Sequence, residues 1–159
     1  MGSRSKIKLA YIAGFLDGDG SLMLQLKKRK DGNMKFRFMV TICLYQDVRH
    51  ADTLYWIKDF FGIGYLSNRN DGITEYRING YKTSREILKS LEPFIRFKKI
   101  QVQALLEACD ILCSKKYSML TEKELRRLVD LILVIQNENY VSRNKKSKND
   151  LLKILDLTP

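Results

Sequence analysis

Histidine is nearly missing from this sequence: there is one, His50, together with one tryptophan, two prolines and three cysteines in 159 residues. A single histidine near a helix start is more often incidental than a general base, so no catalysis is assigned to it. Cys43, Cys109 and Cys113 are odd in number and sparse, which excludes a disulfide framework and fits a reducing compartment. Cys109 and Cys113 can share a helix face, but no second ligand pair with metal-site spacing accompanies them, so core packing is expected rather than zinc. Apolar runs stay far short of the ~20 residues of a membrane span, and the N-terminus lacks the apolar stretch of a secretory signal. These absences predict a soluble, intracellular protein with no membrane partner.

Negative charge is also short. Eighteen acidic residues face 29 basic ones, a formal +11, and a field of that sign attracts polyanions, nucleic acid first among them. A merely soluble basic surface is the plainer alternative, and the placement of the charges has to decide. With 159 residues and 45% hydrophobic content the chain can bury one sizeable core, so a single domain over 1–159 is expected.

Leu9, Ile12, Phe15 and Leu16 recur at helical spacing between Ile7 and Leu16, and the glycine-rich stretch Gly18 to Gly20 is expected to end that helix. From Ser21 the period becomes two. Leu22, Leu24 and Leu26 alternate with polar residues, Asp31-Gly32-Asn33 makes a turn, and Phe36, Phe38, Val40, Ile42 and Leu44 return on one face. Asp47 can cap a helix that Gly62 stops. A second hairpin runs Tyr65 to Arg69, Asn70-Asp71-Gly72, Ile73 to Asn79. Helices follow over Thr83 to Leu91, halted by Pro93, over Lys99 to Cys113 and over Glu122 to Ile135. A basic loop, Arg143 to Lys148, then precedes a short helix, Leu151 to Leu157, capped by Asn149 or Asp150, so 143–159 forms a C-terminal extension. The order helix-hairpin-helix-hairpin-helices (αββαββα) is an α+β fold with a curved antiparallel sheet backed by helices.

The first hairpin has one hydrocarbon face, which must lie on helices, and a second face carrying Gln25, Lys27, Arg29 and Arg37. Arg69, Glu75, Arg77 and Asn79 repeat the design in the second hairpin. Arg, Lys, Gln and Asn donate to base edges in the major groove, which admits a two-stranded ribbon. A ten-residue strand spans about 33 Å, near one turn of duplex, so a long recognition site is expected. Met39, Cys43 and Tyr45, expected to be exposed on that face, argue against an ordinary solvated surface.

Asp17 and Asp19 fall at a helix C-terminus, where the macrodipole disfavours a carboxylate by up to ~1 kcal/mol. A hard divalent cation bridging carboxylate and phosphate compensates, and magnesium suits such oxygen ligands. Asp19 is the expected ligand, with Gly18 and Gly20 leaving room, while Asp17 is expected first as a polar cap on a partner helix. Ala10, Ala13, Gly14 and Gly18 allow a second helix to come close. Gly14 inside a helix costs up to ~1 kcal/mol and needs such a reason. One copy of the segment means that the partner helix comes from a second chain.

Ile12-Ala13-Gly14-Phe15-Leu16-Asp17-Gly18-Asp19-Gly20 resembles the motif that names the LAGLIDADG homing endonucleases. The likeness continues through both helix-hairpin units, Gly62-Ile63-Gly64-Tyr65 and Leu91-Glu92-Pro93-Phe94-Ile95-Arg96-Phe97-Lys98. With one motif, the resemblance implies an intron-encoded homodimer that hydrolyses both strands of a long pseudo-palindromic double-stranded DNA target, leaving 3′ overhangs. It implies metal held by Asp19 and the Gly18 carbonyl, Mg2+ with Mn2+ able to substitute, and Gln46 and Lys98 beside it as catalytic residues. Arg49 or His50 stands where a further basic residue is common. Base contacts carry over to Gln25, Lys27, Arg29, Arg37, Arg69 and Arg77, phosphate contacts to Arg143, Lys145 and Lys146. The interface falls to Ala10, Ala13, Gly14 and Asp17. An organelle (chloroplast or mitochondrion) or a prokaryotic cytoplasm is the implied setting. An intron RNA maturase and a non-cleaving sequence-specific DNA-binding protein are the alternatives, though a pure binder has no use for an acid beside phosphates.

Overall fold

The computed structural model describes residues 3–29, 35–139 and 145–158. The Asp31-Gly32-Asn33 turn and Arg143 lie outside them. Helix α1, Ser3–Asp19, turns Leu9, Ile12, Ala13 and Leu16 inward and ends within the glycine-rich stretch, as expected. Its stop is Gly20, where a Cβ would sit 2.5 Å from Leu16 Cδ1 and 2.7 Å from the Leu16 carbonyl. Only glycine can let the chain leave the helix and enter a strand in one step there.

Strand β1 (Gly20–Lys28) pairs antiparallel with β2 (Phe36–Asp47), from Gly20 opposite Leu44 to Lys28 opposite Phe36. Asp47 then accepts the Arg49 N–H to cap a 3₁₀ turn, Val48–His50, and α2 (Asp52–Phe61) follows until Gly62. The second hairpin is β3 (Tyr65–Asn68) and β4 (Ile73–Asn79), and β4 pairs with β2, giving one four-stranded antiparallel sheet in the order β1-β2-β4-β3. Helices α3 (Tyr81–Leu91), α4 (Lys99–Ser114), α5 (Glu122–Glu138) and α6 (Lys148–Ile154) complete the chain, with Pro93 in a 3₁₀ turn between α3 and α4. The cap of α6 is Ser147, in a reciprocal pair with Asp150, rather than Asn149 or Asp150: the serine hydroxyl reaches the third helical N–H while the Asp150 carboxylate returns to Ser147 N–H.

Alternation decides which face of the sheet is covered. Leu22, Leu24, Leu26, Phe38, Val40, Ile42, Leu44, Tyr76 and Ile78 are all buried, against α1, α3, α4 and α5, in one core that runs on to Leu151 and Leu152 of α6. The opposite face of β1, β2, β4 and β3 carries the polar row. All three cysteines are free thiols. No helix among the described residues is long and apolar enough to cross a membrane.

Candidate functional site

The end of α1 is stapled to the segment that follows Pro93. Asp17 is buried, and its Oδ2 and Oδ1 accept the Arg96 and Lys98 backbone N–H groups at 2.6 and 3.0 Å. Lys98 Nζ donates to the Asp17 carbonyl at 2.6 Å. Both carboxylate oxygens of Asp17 therefore serve its own chain, which corrects the expectation that it caps a partner helix. Two donated hydrogen bonds and an adjacent ammonium also offset the macrodipole that disfavours an acid here.

Asp19 has no such commitments. It is exposed, and among the described residues its carboxylate takes no hydrogen bond or ion pair. It is the last residue of α1 rather than beyond it. A helix's last carbonyls have no helical donor; that of Asp17 is taken by Lys98, whereas among the described residues nothing donates to that of Gly18. A carboxylate and a carbonyl thus stand next to each other as unused hard oxygen donors, with Lys98 beside them. Burial pushes the Lys98 ammonium below the ordinary lysine range, opposed by the charges of Asp17 and Asp19.

That direction sets a prediction. A folded-state pKa below the unfolded one means that folding disfavours charged Lys98, a destabilisation present at neutral pH and relieved as pH rises towards the ordinary lysine value of about 10.4. Lys98→Met also loses the bond to the Asp17 carbonyl, so the pH dependence is the readout: wild type should gain stability relative to Lys98→Met as pH rises from neutral towards about 10. Calorimetry across pH checks it, and a difference that stays constant or moves the other way would count against it.

Gln46 arrives by register. Gly20 pairs with Leu44, so Gln46 lies two residues past the pair at which β1 begins, opposite Thr74 of β4. The Gln46 Oε1 accepts the Asp47 N–H at 2.8 Å, and among the described residues its NH2 makes no hydrogen bond. Arg49 is tied to Asp47 by two parallel bonds of 2.9 Å, which hold the Asp47 carboxyl well below the usual carboxylate range. His50 is exposed.

On the uncovered sheet face Gln25 is half-buried and Lys27, Arg29 and Arg37 are exposed. Lys27 stands directly opposite Arg37. Like charges across a ladder destabilise it, so this pairing makes sense against a polyanion. The face is more built than alternation implied. Thr41 and Cys43 are fully buried, contrary to the expected exposure of Cys43. Cys43 pairs with Ser21 on one side and Arg77 on the other, and burial raises its thiol pKa. Met39 and Tyr45 are half-buried, Ser21 Oγ and Tyr45 Oη are 3.0 Å apart, and burial pushes the Tyr45 hydroxyl up to about 12. Glu75 is buried between Arg69 and Arg77. That coupling was missed in the sequence; its signal is the placement of Glu75 and Arg77 two apart on one strand face. Lys145 and Lys146 are exposed ahead of α6.

The free face of α1 presents Ala10, Gly14 and Gly18, joined by Ile7 and Tyr11, at 68% and 54% exposure. Ala13 does not belong there: it is fully buried on the opposite side of the helix, beside Ile12 and Leu16, because a residue three places from Ala10 and four from Leu9 follows Leu9 into the core. A Cβ at Gly14 or Gly18 would meet nothing within 4 Å. The chain's own packing does not demand glycine at either position.

Comparison with known proteins finds relatives by sequence and by fold. The family model described as LAGLIDADG endonuclease matches residues 12–109. DNA endonuclease I-CvuI of Chlorella vulgaris is 29% identical over 102 residues, covering 64% of this chain and 63% of that protein, less than two thirds of its length. DNA endonuclease I-CreI of Chlamydomonas reinhardtii is 28% identical over 149 residues, covering 93% and 88% respectively. Among solved structures, the homing endonuclease I-CvuI in complex with its target in the presence of Ca superposes with a TM-score of 0.85 at 23% identity, over 99% of this chain and 100% of that one. An archaeal intron-encoded homing endonuclease complexed with DNA, I-Vdi141I, gives 0.79 at 23% identity over 96% of each chain.

Proposed function

The chain belongs to the LAGLIDADG endonuclease family, and from that premise we propose that it is a homing endonuclease whose homodimer hydrolyses both strands of a long, specific, pseudo-palindromic double-stranded DNA site, with a divalent metal, leaving 3′ overhangs. The observation that carries the reading is the uncommitted Asp19 carboxylate beside the Gly18 carbonyl and the Lys98 ammonium, at one edge of a basic sheet face.

These donors fit Mg2+ in kind, since both are hard oxygens. Among the described residues no three His, Cys, Asp or Glu side chains group as a metal site would need, so Asp19 and the Gly18 carbonyl would hold the ion only together with ligands from the DNA and the second copy. When bound, the metal supplies Lewis-acid polarisation of the scissile phosphate. The chain's own groups do the rest. Water adds to phosphorus and the 3′ oxygen departs with a proton. The Gln46 NH2 orients the water, and Lys98 places positive charge against the phosphate as its negative charge grows. Gln25, Lys27, Arg29, Arg37, Arg69 and Arg77 meet base edges, and Lys145 and Lys146 meet phosphates.

Selection of cleaved sites from a randomised DNA library in magnesium, with both ends sequenced, tests target, symmetry and stagger together. A site with two-fold symmetry and 3′ overhangs is the expected product; blunt ends or an asymmetric site would overturn the reading. The dimer has its own test. Gly14→Leu fills space that is open in one subunit and closed by the second, and overpacking of about 1–3 kcal/mol per site counts twice across a two-fold axis. Light scattering should report monomers whose melting temperature is not lowered, since leucine also removes the helical cost of glycine, and cleavage should be lost. A stable Gly14→Leu dimer would refute the interface.

A further inference from the structure

Glu75 is a carboxylate buried in a face that has to meet a polyanion. Its side chain is 9% exposed. Oε2 accepts from Arg77 Nε at 2.7 Å and Oε1 from Arg69 Nη1 at 3.3 Å, while Arg69 Nη2 reaches Asp71 Oδ2 at 2.8 Å. Two arginines and two carboxylates sum to zero, on a chain whose formal charge is +11. Arginines kept for phosphates gain from staying unneutralised, because counterion release rewards net positive charge. Neutralised ones gain direction instead. A guanidinium has five N–H donors in a fixed fork. Arg77 spends its Nε and Arg69 one N–H of each Nη, so both keep donors for a ligand, and their side chains remain 31% and 48% exposed.

Beside them Asn79 Oδ1 takes the Thr41 hydroxyl at 2.7 Å, so its NH2 is the uncommitted half of that amide among the described residues, and the Ser21 and Tyr45 hydroxyls bond to each other. These oxygens and the half-exposed Asp71 carboxylate keep acceptor capacity, but the two guanidinium forks are the groups here that can reach a base with several N–H donors at once. Guanine is the base that presents two acceptors, N7 and O6, in the major groove; cytosine presents a donor, adenine one of each, thymine one acceptor and a methyl.

We propose that Glu75 is a positioning residue that locks Arg69 and Arg77 into one donor unit, and that this unit selects guanines where the second hairpin meets each half-site. The inference rests on the DNA-cleaving reading above. A carboxylate present only to stabilise the sheet would leave base preference untouched, so preference is the readout.

Library selection is run with the wild type, Arg69→Ala, Arg77→Ala, Glu75→Gln and Glu75→Asp, each checked for folding by thermal melting. The two arginine variants should each relax a preference for guanine by about tenfold at a position of its own. Glu75→Gln should relax both positions together without weakening binding to random DNA at matched salt, and Glu75→Asp should recover part of the preference. Glu75→Gln added to Arg77→Ala should do no further harm at the Arg77 position. An unchanged profile for Glu75→Gln, another base at the arginine-dependent positions, or a uniform fall over all sequences would overturn the proposal. If Glu75→Gln does not fold, guanine at the arginine-dependent positions together with a profile between wild type and the arginine variants for Glu75→Asp supports it, and a wild-type profile for Glu75→Asp overturns it. A wild type that selects no site at all would overturn the DNA-cleaving reading itself and this inference with it; a selected site with an indifferent Glu75 overturns only the inference.

Discussion

Asp19→Asn should bind its DNA site as tightly as the wild type and cut it at least about 10³-fold more slowly, a loss of about 4 kcal/mol of transition-state stabilisation. The side chain keeps its size and loses its charge. Among the described residues no hydrogen bond or ion pair holds that exposed carboxylate; its charge is disfavoured by the helix macrodipole and favoured by Lys98, two small effects of opposite sign. Folding should therefore survive, with little change in melting temperature. Binding should hold or strengthen slightly, because removing one negative charge from a chain of +11 makes it more attractive to phosphates. What fails is the metal: a neutral amide oxygen is a poor substitute for a carboxylate in a set of hard oxygen ligands. Gel-shift titration and single-turnover cleavage over a range of magnesium separate the two effects. Wild-type-like cleavage by Asp19→Asn would remove Asp19 from the metal site.

Alternation made most of the fold legible. Leu22, Leu24 and Leu26 opposite Phe38, Val40 and Ile42 could only be one buried face, and Asn70-Asp71-Gly72, Gly62 and Pro93 marked the second hairpin's turn and the ends of α2 and α3, whereas Asp47 caps the 3₁₀ turn before α2 and not α2 itself. Where the reading failed, the deciding contact was long-range or local chemistry competed. The stretch Gly18 to Gly20 does end the helix, but Asp19, expected beyond it, is its last residue because the obligatory glycine is Gly20, packed on Leu16. Ser147 outcompetes Asn149 and Asp150 as a cap because the latter aspartate is used to return the bond. Cys43 was placed on the right face and judged wrongly for exposure, since alternation says which way a side chain points and not what lies over it. At the site, Asp19 was legible from charge and helix position, and Lys98 only through family likeness: the bond from Lys98 Nζ to the Asp17 carbonyl joins residues 81 apart in sequence. Ala13 was grouped by size with Gly14, whereas its neighbours Ile12 and Leu16 carry it into the core.

Asp17 and Asp19 differ by two positions in one motif, and the structure separates their consequences. Asp17→Ala should destabilise the subunit by about 2–4 kcal/mol and abolish cleavage, where Asp19→Asn abolishes cleavage alone. Removing the Asp17 carboxylate strands two backbone N–H groups, those of Arg96 and Lys98, at a site where Asp17 itself is 7% exposed. A hydrogen bond to a charged acceptor is worth about 1.5–3 kcal/mol, and an unsatisfied buried donor adds its desolvation cost. In a chain of this size each kcal/mol lowers the melting temperature by about 2–4 °C, so a drop of roughly 5–15 °C is expected. Cleavage falls because the turn that delivers Lys98 to the end of α1 is no longer held. Asp17→Asn keeps one acceptor oxygen and presents an NH2 to the other amide, so it should lose stability to an intermediate degree. Calorimetry and cleavage assays on Asp17→Ala, Asp17→Asn and Asp19→Asn check the ordering. Equal melting temperatures for Asp17→Ala and the wild type would mean that the carboxylate does not staple the helix end, and that Lys98 is held by other means.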